Sequence, residues 1–414
     1  MTAELPIHTA EKLTGIRAQF PILHQRINNK PLVYFDNAAT TQKPQRVIDK
    51  IVHYYSTDNA NIHRGIHTLA ERATIAYETT RSTVQAFINA SEKEEVIFTK
   101  GTSESINLVA FAFGEVFVQA GDEIIISTVE HHSNIVPWQI LCERKGATLK
   151  VIPVDDAGEL IMDEYDKLLS AKTRFVAVNH ASNSLGTINP IKEIIEKAHQ
   201  YGAKVLIDGA QAAAHLEIDV QALDADFYTL SAHKVYGPTG VGILYGKRAL
   251  LEAMSPYQSG GEMISEVTFE KTTYNEIPYK FEAGTPNIAG VVAFNEALEF
   301  VTETGKEHIA QLENMLLKYA TETLGRIKGI VPVGTARNKV SVYSFVAEGI
   351  HHFDIGQMLD ASGVAVRTGH HCTQPLMSRF NIEGTVRASF AVYNTREEID
   401  IMAESLERII RFLK

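Results

Sequence analysis

Ser231-Ala232-His233-Lys234 follows the apolar run Asp226 to Leu230 and puts an amine where a buried strand should end. An unpaired ammonium loses its hydration there. Desolvation lowers its pKa and frees the lone pair to attack a carbonyl, as an imine-forming lysine requires. The plain alternative is that Lys234 reaches solvent along its stem. Asp208-Gly209-Ala210-Gln211 follows Val205-Leu206-Ile207. A carboxylate at such a strand end needs a cationic or N–H partner, which a protonated heterocycle would supply; the ordinary alternative is a helix cap. Gln211 could donate to another atom of the same ring. Gly101-Thr102-Ser103-Glu104 follows Val96-Phe98 and opens a helix, and its N–H groups and two hydroxyls suit a phosphate.

His131-His132 after Ile124-Ser127 offers a flat imidazole for stacking, and Asn183 after Phe175-Val178 offers an uncharged donor. A phosphate cradle, a carboxylate, a stacking ring and an imine-forming lysine together specify pyridoxal 5′-phosphate. Other motifs read more plainly. His63 and His67, four apart, could share a helix face and hold zinc, but no acidic residue completes a metalloprotease motif, and no metal is expected. Gly237 to Gly242 lacks the Gly-Lys-Ser/Thr ending of a nucleotide loop and reads as a turn into a strand. Cys142, near Trp138 and Leu141, reads as a buried apolar cysteine.

The elements that must position these residues are legible from periodicity. Seven β-like runs (96–98, 124–127, 149–151, 175–178, 205–207, 227–230 and 241–245) are mostly separated by helical stretches such as Ser105-Phe117 and Ile191-Tyr201. That alternation predicts an α/β architecture with a largely parallel sheet covered by helices, whose ligands bind at the carboxyl ends of strands. After Phe300 the pattern becomes helix, strand, helix, strand: Ile309-Ile327, Lys339-Val346, Phe353-Ala361 and Val364-Thr368. A final helix from Thr395 has a capping box with Glu398 and a stripe of Ile399, Met402, Leu406 and Ile409. This predicts a smaller α/β domain. An amphipathic stretch, Glu11 to Phe20, and a short strand at Leu32-Phe35 precede the main sheet.

With 414 residues, two domains are expected. Hydrophobic content of 45% and charged content of 21% are globular values, and a formal charge of -11 argues against nucleic acid as the main partner. No apolar run reaches membrane-spanning length, and Met1-Thr2-Ala3-Glu4 has no basic or apolar export signal, so no membrane association is expected. Only two cysteines, Cys142 and Cys372, exclude a disulfide scaffold and fit a reducing cytoplasm.

The chain resembles the fold-type I pyridoxal-phosphate enzymes, and within them the group II (SufS-type) cysteine desulfurases of the class-V aminotransferase family. The resemblance rests on Phe35-Asp36-Asn37-Ala38-Ala39-Thr40-Thr41, Asn61 to His67, Gly101 to Glu104, Glu130-His131-His132-Ser133-Asn134, Asp208 to Gln211, Ser231 to Lys234, Phe281 to Pro286, Arg367-Thr368-Gly369-His370-His371-Cys372 and Arg387-Ala388-Ser389. It implies a large cofactor-binding domain over 30–298, with a mainly parallel seven-stranded sheet. A small domain of 1–29 and 299–414 would carry the reactive cysteine loop. By resemblance Lys234 carries the imine, Asp208 pairs with the ring nitrogen, Gln211 meets the phenolic oxygen and His131 stacks as a catalytic residue. Thr102, Ser103, Ser231 and His233 hold the phosphate, with Thr285 arriving from the second subunit of a homodimer. Arg387 grips the substrate carboxylate, helped by Asn183, with Arg367, His63 and Ala38 also at the substrate. Cys372, its thiolate favoured by Arg367, His370 and His371, takes sulfur from L-cysteine as a persulfide, releasing L-alanine. A short loop that reaches less far implies a SufE-like or SufU-like acceptor protein and iron–sulfur cluster assembly. The rival expectations are a selenocysteine lyase and a catalytically silent scaffold of the same fold.

Overall fold

The computed structural model describes residues 15–414. The seven predicted runs are strands β1 (Val96–Thr99), β2 (Glu123–Ser127), β3 (Thr148–Ile152), β4 (Thr173–Asn179), β5 (Lys204–Asp208), β6 (Phe227–Ser231) and β7 (Gly242–Gly246). They form one sheet in the order β1-β7-β6-β5-β4-β2-β3. The β2–β3, β2–β4, β4–β5 and β5–β6 pairs are parallel, while β7 runs antiparallel to both β1 and β6. The sheet is therefore mainly parallel, as expected.

Its central strands are mostly apolar on both faces because both are covered, while the edge strand β3 is partly exposed. Side chains alternate across a strand, so Val205 and Ile207 enter one core while Leu206 enters the other. Helices α1 (Thr68–Ile88), α2 (Thr102–Phe117), α3 (Val136–Lys145), α4 (Ile191–Gln200) and α5 (Ile288–Thr304) supply the facing stripes. Ile106, Val109 and Phe113 of α2 meet Trp138, Leu141 and the buried Cys142 of α3 on one side. Val291, Val292 and Phe294 of α5 pack on the other.

Helix α2 starts where it does because two backbones touch. A Cβ on Gly242 would fall 2.3 Å from the Cα of Gly101, so β7 rests directly on the turn that opens α2. Gly242→Ala is expected to cost roughly 1–3 kcal/mol of stability, as overpacking does, and to disturb the α2 start. Chemical denaturation reads this directly, and an unchanged midpoint would count against the contact.

A second, antiparallel sheet has the order β8 (Ile330–Val333), β9 (Val342–Ala347), β11 (Thr385–Ser389), β10 (Arg367–Gly369). It packs with α6 (Lys306–Leu324), α7 (His352–Ala361) and α8 (Arg396–Leu413) around Phe345, Leu316, Leu359, Val386 and Leu406. The Thr395–Glu398 capping box is formed and the α8 stripe is buried. The predicted Val364-Thr368 strand is split: Val364–Ala365 pairs in parallel with Val33–Tyr34, and β10 then pairs with β11. Phe20 joins the two layers through ring contacts with Tyr236, Phe300 and Tyr393. Residues 11–14 of the predicted Glu11 to Phe20 stretch lie outside the described residues, and 15–17 are helical. His63 and His67 share no helix face: His63 is in a loop with φ of 68°, and His67 caps α1 by accepting from the Ala70 N–H.

Candidate active site

The register of β4, β5 and β6 sets Asn179 beside Asp208 and Asp208 beside Thr229, so the strand ends converge. At that carboxyl edge lies a cavity of about 640 Å³. Gly101, Thr102 and Ser103 form one wall, at the start of α2. Ser231 fixes it from β6: its Oγ accepts from the Thr102 N–H at 2.9 Å and donates to Thr102 Oγ1 at 2.9 Å. Ser103 Oγ lies 2.6 Å from Ser133 Oγ. His233 lines the same cavity, and its ring is kept neutral by burial and the nearby Lys234 and Lys43, its pKa falling to about 4.

Lys234 and Asp208 share the cavity floor. Burial brings the Lys234 pKa down to about 8, Arg387 and Arg367 push the same way, and Asp208 and Cys372 oppose them. The Asp208 carboxyl is shifted upward by burial, partly offset by the Ala210 N–H at 2.9 Å and by Lys234. A carboxylate held dry in this way gains most from a cationic N–H partner. His131 Nδ1 accepts from the Ser133 N–H at 3.1 Å, which leaves the ring proton on Nε2. Burial and the Lys234 charge hold its pKa near 4, so the ring stays neutral. Gln211 donates through Nε2 to the Ala38 carbonyl at 2.6 Å, and Ala38 N–H donates to Ser389 Oγ at 2.8 Å. Both residues line the cavity.

The opposite wall is Arg387, 2% exposed in the middle of β11. Its Nη1 donates to the Asn183 carbonyl at 2.8 Å and its Nη2 to Asp36 Oδ1 at 3.2 Å, while Nε has no partner. Burial and Arg367 lower its pKa to about 10, which leaves it a cation near neutrality. A dry guanidinium that lines a cavity and keeps one N–H unspent suits a carboxylate. Arg367 binds Asp36 through Nε at 3.0 Å and Nη2 at 2.8 Å. Asp36 thus joins both arginines, a role the sequence reading had not assigned.

Cys372 is half-buried and lines the same cavity. His371 and Cys372 both have left-handed backbones, with φ of 51° and 58°. Such strain persists only where the surroundings over-determine it. Here they do: the His371 carbonyl accepts from Asn183 Nδ2 at 2.8 Å, and the Cys372 carbonyl accepts from the His132 N–H at 2.8 Å. Ser184 Oγ lies 2.6 Å from Thr373 Oγ1. Asn183 therefore spends its amide on the cysteine loop. Burial, Arg387 and Arg367 push the His371 pKa far down, which favours a neutral ring, and its Nε2 lies 2.8 Å from Thr385 Oγ1.

Two expected site residues lie elsewhere in this chain. His63 Nε2 is 3.0 Å from Glu78 Oε1, and Thr285 is exposed in the loop before α5; neither lines the cavity. Unassigned residues that support the site include Glu130, whose oxygens take Ser127, Asn134 and the Asn179 N–H. Lys43 ties the 40–43 turn to the His233 carbonyl at 3.1 Å.

Comparison with known proteins agrees with this arrangement. Residues 33–402 match the aminotransferase class-V family. A cysteine desulfurase of Synechococcus elongatus is 56% identical over 95% of this chain, and a probable cysteine desulfurase of Mycolicibacterium paratuberculosis is 52% identical over 97%. The chain spans only 63% and 59% of those two proteins. It covers 98% of a cysteine desulfurase of Escherichia coli O8 at 50% identity and 96% of its own length. Among solved structures, the cysteine desulfurase CsdA of Escherichia coli superposes with a TM-score of 0.90 at 38% identity, over 97% of this chain and 98% of that one. A match that takes in the sheet, the cavity and the cysteine loop shows that the chain belongs to the aminotransferase class-V family.

Proposed function

We propose that this protein is a pyridoxal-phosphate-dependent cysteine desulfurase that moves the sulfur of L-cysteine onto Cys372. One observation carries the reading: a desolvated lysine, a dry carboxylate, a buried arginine with a free Nε and a cysteine on a strained loop all face one cavity. The donor set fits the cofactor. Thr102, Ser103, Ser231 and His233 would take its phosphate, Asp208 its ring nitrogen, Gln211 its phenolic oxygen and the neutral His131 ring its face. When bound, pyridoxal phosphate supplies an electron sink for an amino acid held on its aldehyde carbon.

Arg387 binds the substrate carboxylate and fixes the Cα–H bond toward Lys234. Lys234, as a free amine, takes the Cα proton as general base. The Cys372 thiolate then attacks the substrate sulfur. An S–S bond forms as the substrate C–S bond breaks, and the electron pair stays on the substrate carbon. Protonation there, and return of a proton to Cα from Lys234, give alanine, while Cys372 keeps the added sulfur as a persulfide. Purified, cofactor-loaded protein given L-cysteine is expected to release one alanine for each cysteine consumed. Absence of alanine would reject the assignment.

The depressed Lys234 pKa gives a pH expectation. Only the neutral amine attacks an aldehyde, and burial halves its protonation near pH 8 instead of near 10.5. Covalent loading of cofactor-free protein should therefore speed up with pH and level off just above 8, read by the absorbance of the lysine adduct. A rate still climbing at pH 10 would contradict the desolvated amine.

The proposal extends to a homodimer whose second subunit brings Thr285 to the site, and to a SufE-like or SufU-like protein that collects sulfur for iron–sulfur assembly. Thr285 is exposed and lies outside the cavity of its own chain, which is what supports a contribution across subunits. No described helix is long and apolar enough to cross a membrane, and a cytoplasmic location is part of the same reading.

A further inference from the structure

A second cavity, of about 740 Å³, lies between α6 and the β8–β9 connection and shares no lining residue with the active site. One buried polar group on it lacks a partner, and one part-buried cation on it lacks a carboxylate. The Lys339 ammonium donates to the Gly334 carbonyl at 2.6 Å, and no described carboxylate pairs with it. Its three N–H bonds leave two donors unspent. Burial alone lowers its pKa, to about 8, with no acid opposing the shift. Tyr343 is 2% exposed, and its hydroxyl has no hydrogen-bond partner. Buried polar groups are almost always satisfied, so an orphaned hydroxyl and an unneutralised ammonium on one cavity call for a ligand.

The rest of the lining sets its class. Lys318 and Arg337 add two cations against the single acid Glu322, and Leu317 and Pro332 give an apolar wall. We infer that this cavity binds a small organic anion, its oxyanion taken by Lys339, a further polar atom by the Tyr343 hydroxyl, and its body resting on Leu317 and Pro332. The site is one loop away from the reacting cysteine. Lys339 bridges to Thr187, and Val340 N–H donates to the Gly186 carbonyl at 2.8 Å. The same loop carries Asn183 and Ser184, which hold the segment from His371 to Thr373.

Calorimetric titration of the holoenzyme, whose phosphate cradle is already filled, tests this with two probes, citrate and adenosine monophosphate. At least one is expected to bind saturably at a single site, and which one does so separates a polycarboxylate from a phosphate ligand. Lys339→Met is expected to weaken that binding at least about tenfold, as loss of a charge-assisted hydrogen bond does. Tyr343→Phe, which removes only the hydroxyl, should weaken it several-fold, and both variants should keep the wild-type cofactor content and thermal midpoint. No saturable binding of either probe, or unchanged affinity in Lys339→Met, would overturn the site; unchanged affinity in Tyr343→Phe would overturn the placement on Tyr343.

Discussion

Cys372→Ala is expected to stop alanine formation from L-cysteine, by at least ~10³-fold or about 4 kcal/mol of barrier, while the protein keeps its fold and cofactor. The contacts that hold residue 372 are made by its backbone: its N–H donates to His370 Nδ1 at 3.1 Å and its carbonyl accepts from His132. Alanine retains both and tolerates φ of 58° no worse than cysteine. What disappears is the only sulfur among the described residues that line the cavity, since the other cysteine, Cys142, is buried between α2 and α3, where burial pushes its thiol up to about 11. Steady-state alanine release, with the cofactor absorbance recorded on the same sample, separates loss of the nucleophile from loss of structure. Wild-type turnover in Cys372→Ala would remove the persulfide route.

Lys234→Ala carries the second large effect. Its amine is both the covalent anchor for the cofactor and the base for the Cα proton, so activity with L-cysteine should fall by at least ~10³-fold. Borohydride treatment should leave no pyridoxyl group attached to the protein. The matched control is wild-type protein, in which the same treatment tags Lys234. A covalent adduct persisting in the variant would assign the anchor to another lysine.

How far the sequence reached depends on where each signal comes from. Strands such as Val205-Leu206-Ile207 were legible because a sheet covered on both faces demands an unbroken apolar run. Helix α1 was not, because its buried stripe includes Thr80 and Arg81. Arg81 is held by Glu78 on the same helix at 3.0 Å and by Glu282, distant in sequence, at 2.8 Å. No periodicity contains the pairing with Glu282. Strand β11, Thr385-Val386-Arg387-Ala388-Ser389, is buried throughout, yet an arginine at its centre hides it from any apolar pattern. Resemblance alone marked Arg387.

The site shows the same division. Chemical identities at strand ends could be read directly, as for Asp208 and Lys234. Partnerships between distant segments could not: Asp36 reaches Arg367 and Arg387 from 331 and 351 positions away. Charge states also follow the fold. His371 adjoins Cys372 in sequence and would favour a thiolate if protonated, but the folded chain buries it against Arg387 and keeps it neutral.

Mass measurement of the Cys372 peptide, taken after brief exposure of the cofactor-loaded protein to L-cysteine without reductant, goes to the centre of the account. The peptide should be heavier by one sulfur atom, alkylation should shift with it, and released alanine should match it mole for mole. Alanine formed while Cys372 stays unmodified, or extra sulfur found on Cys142 instead, would contradict it.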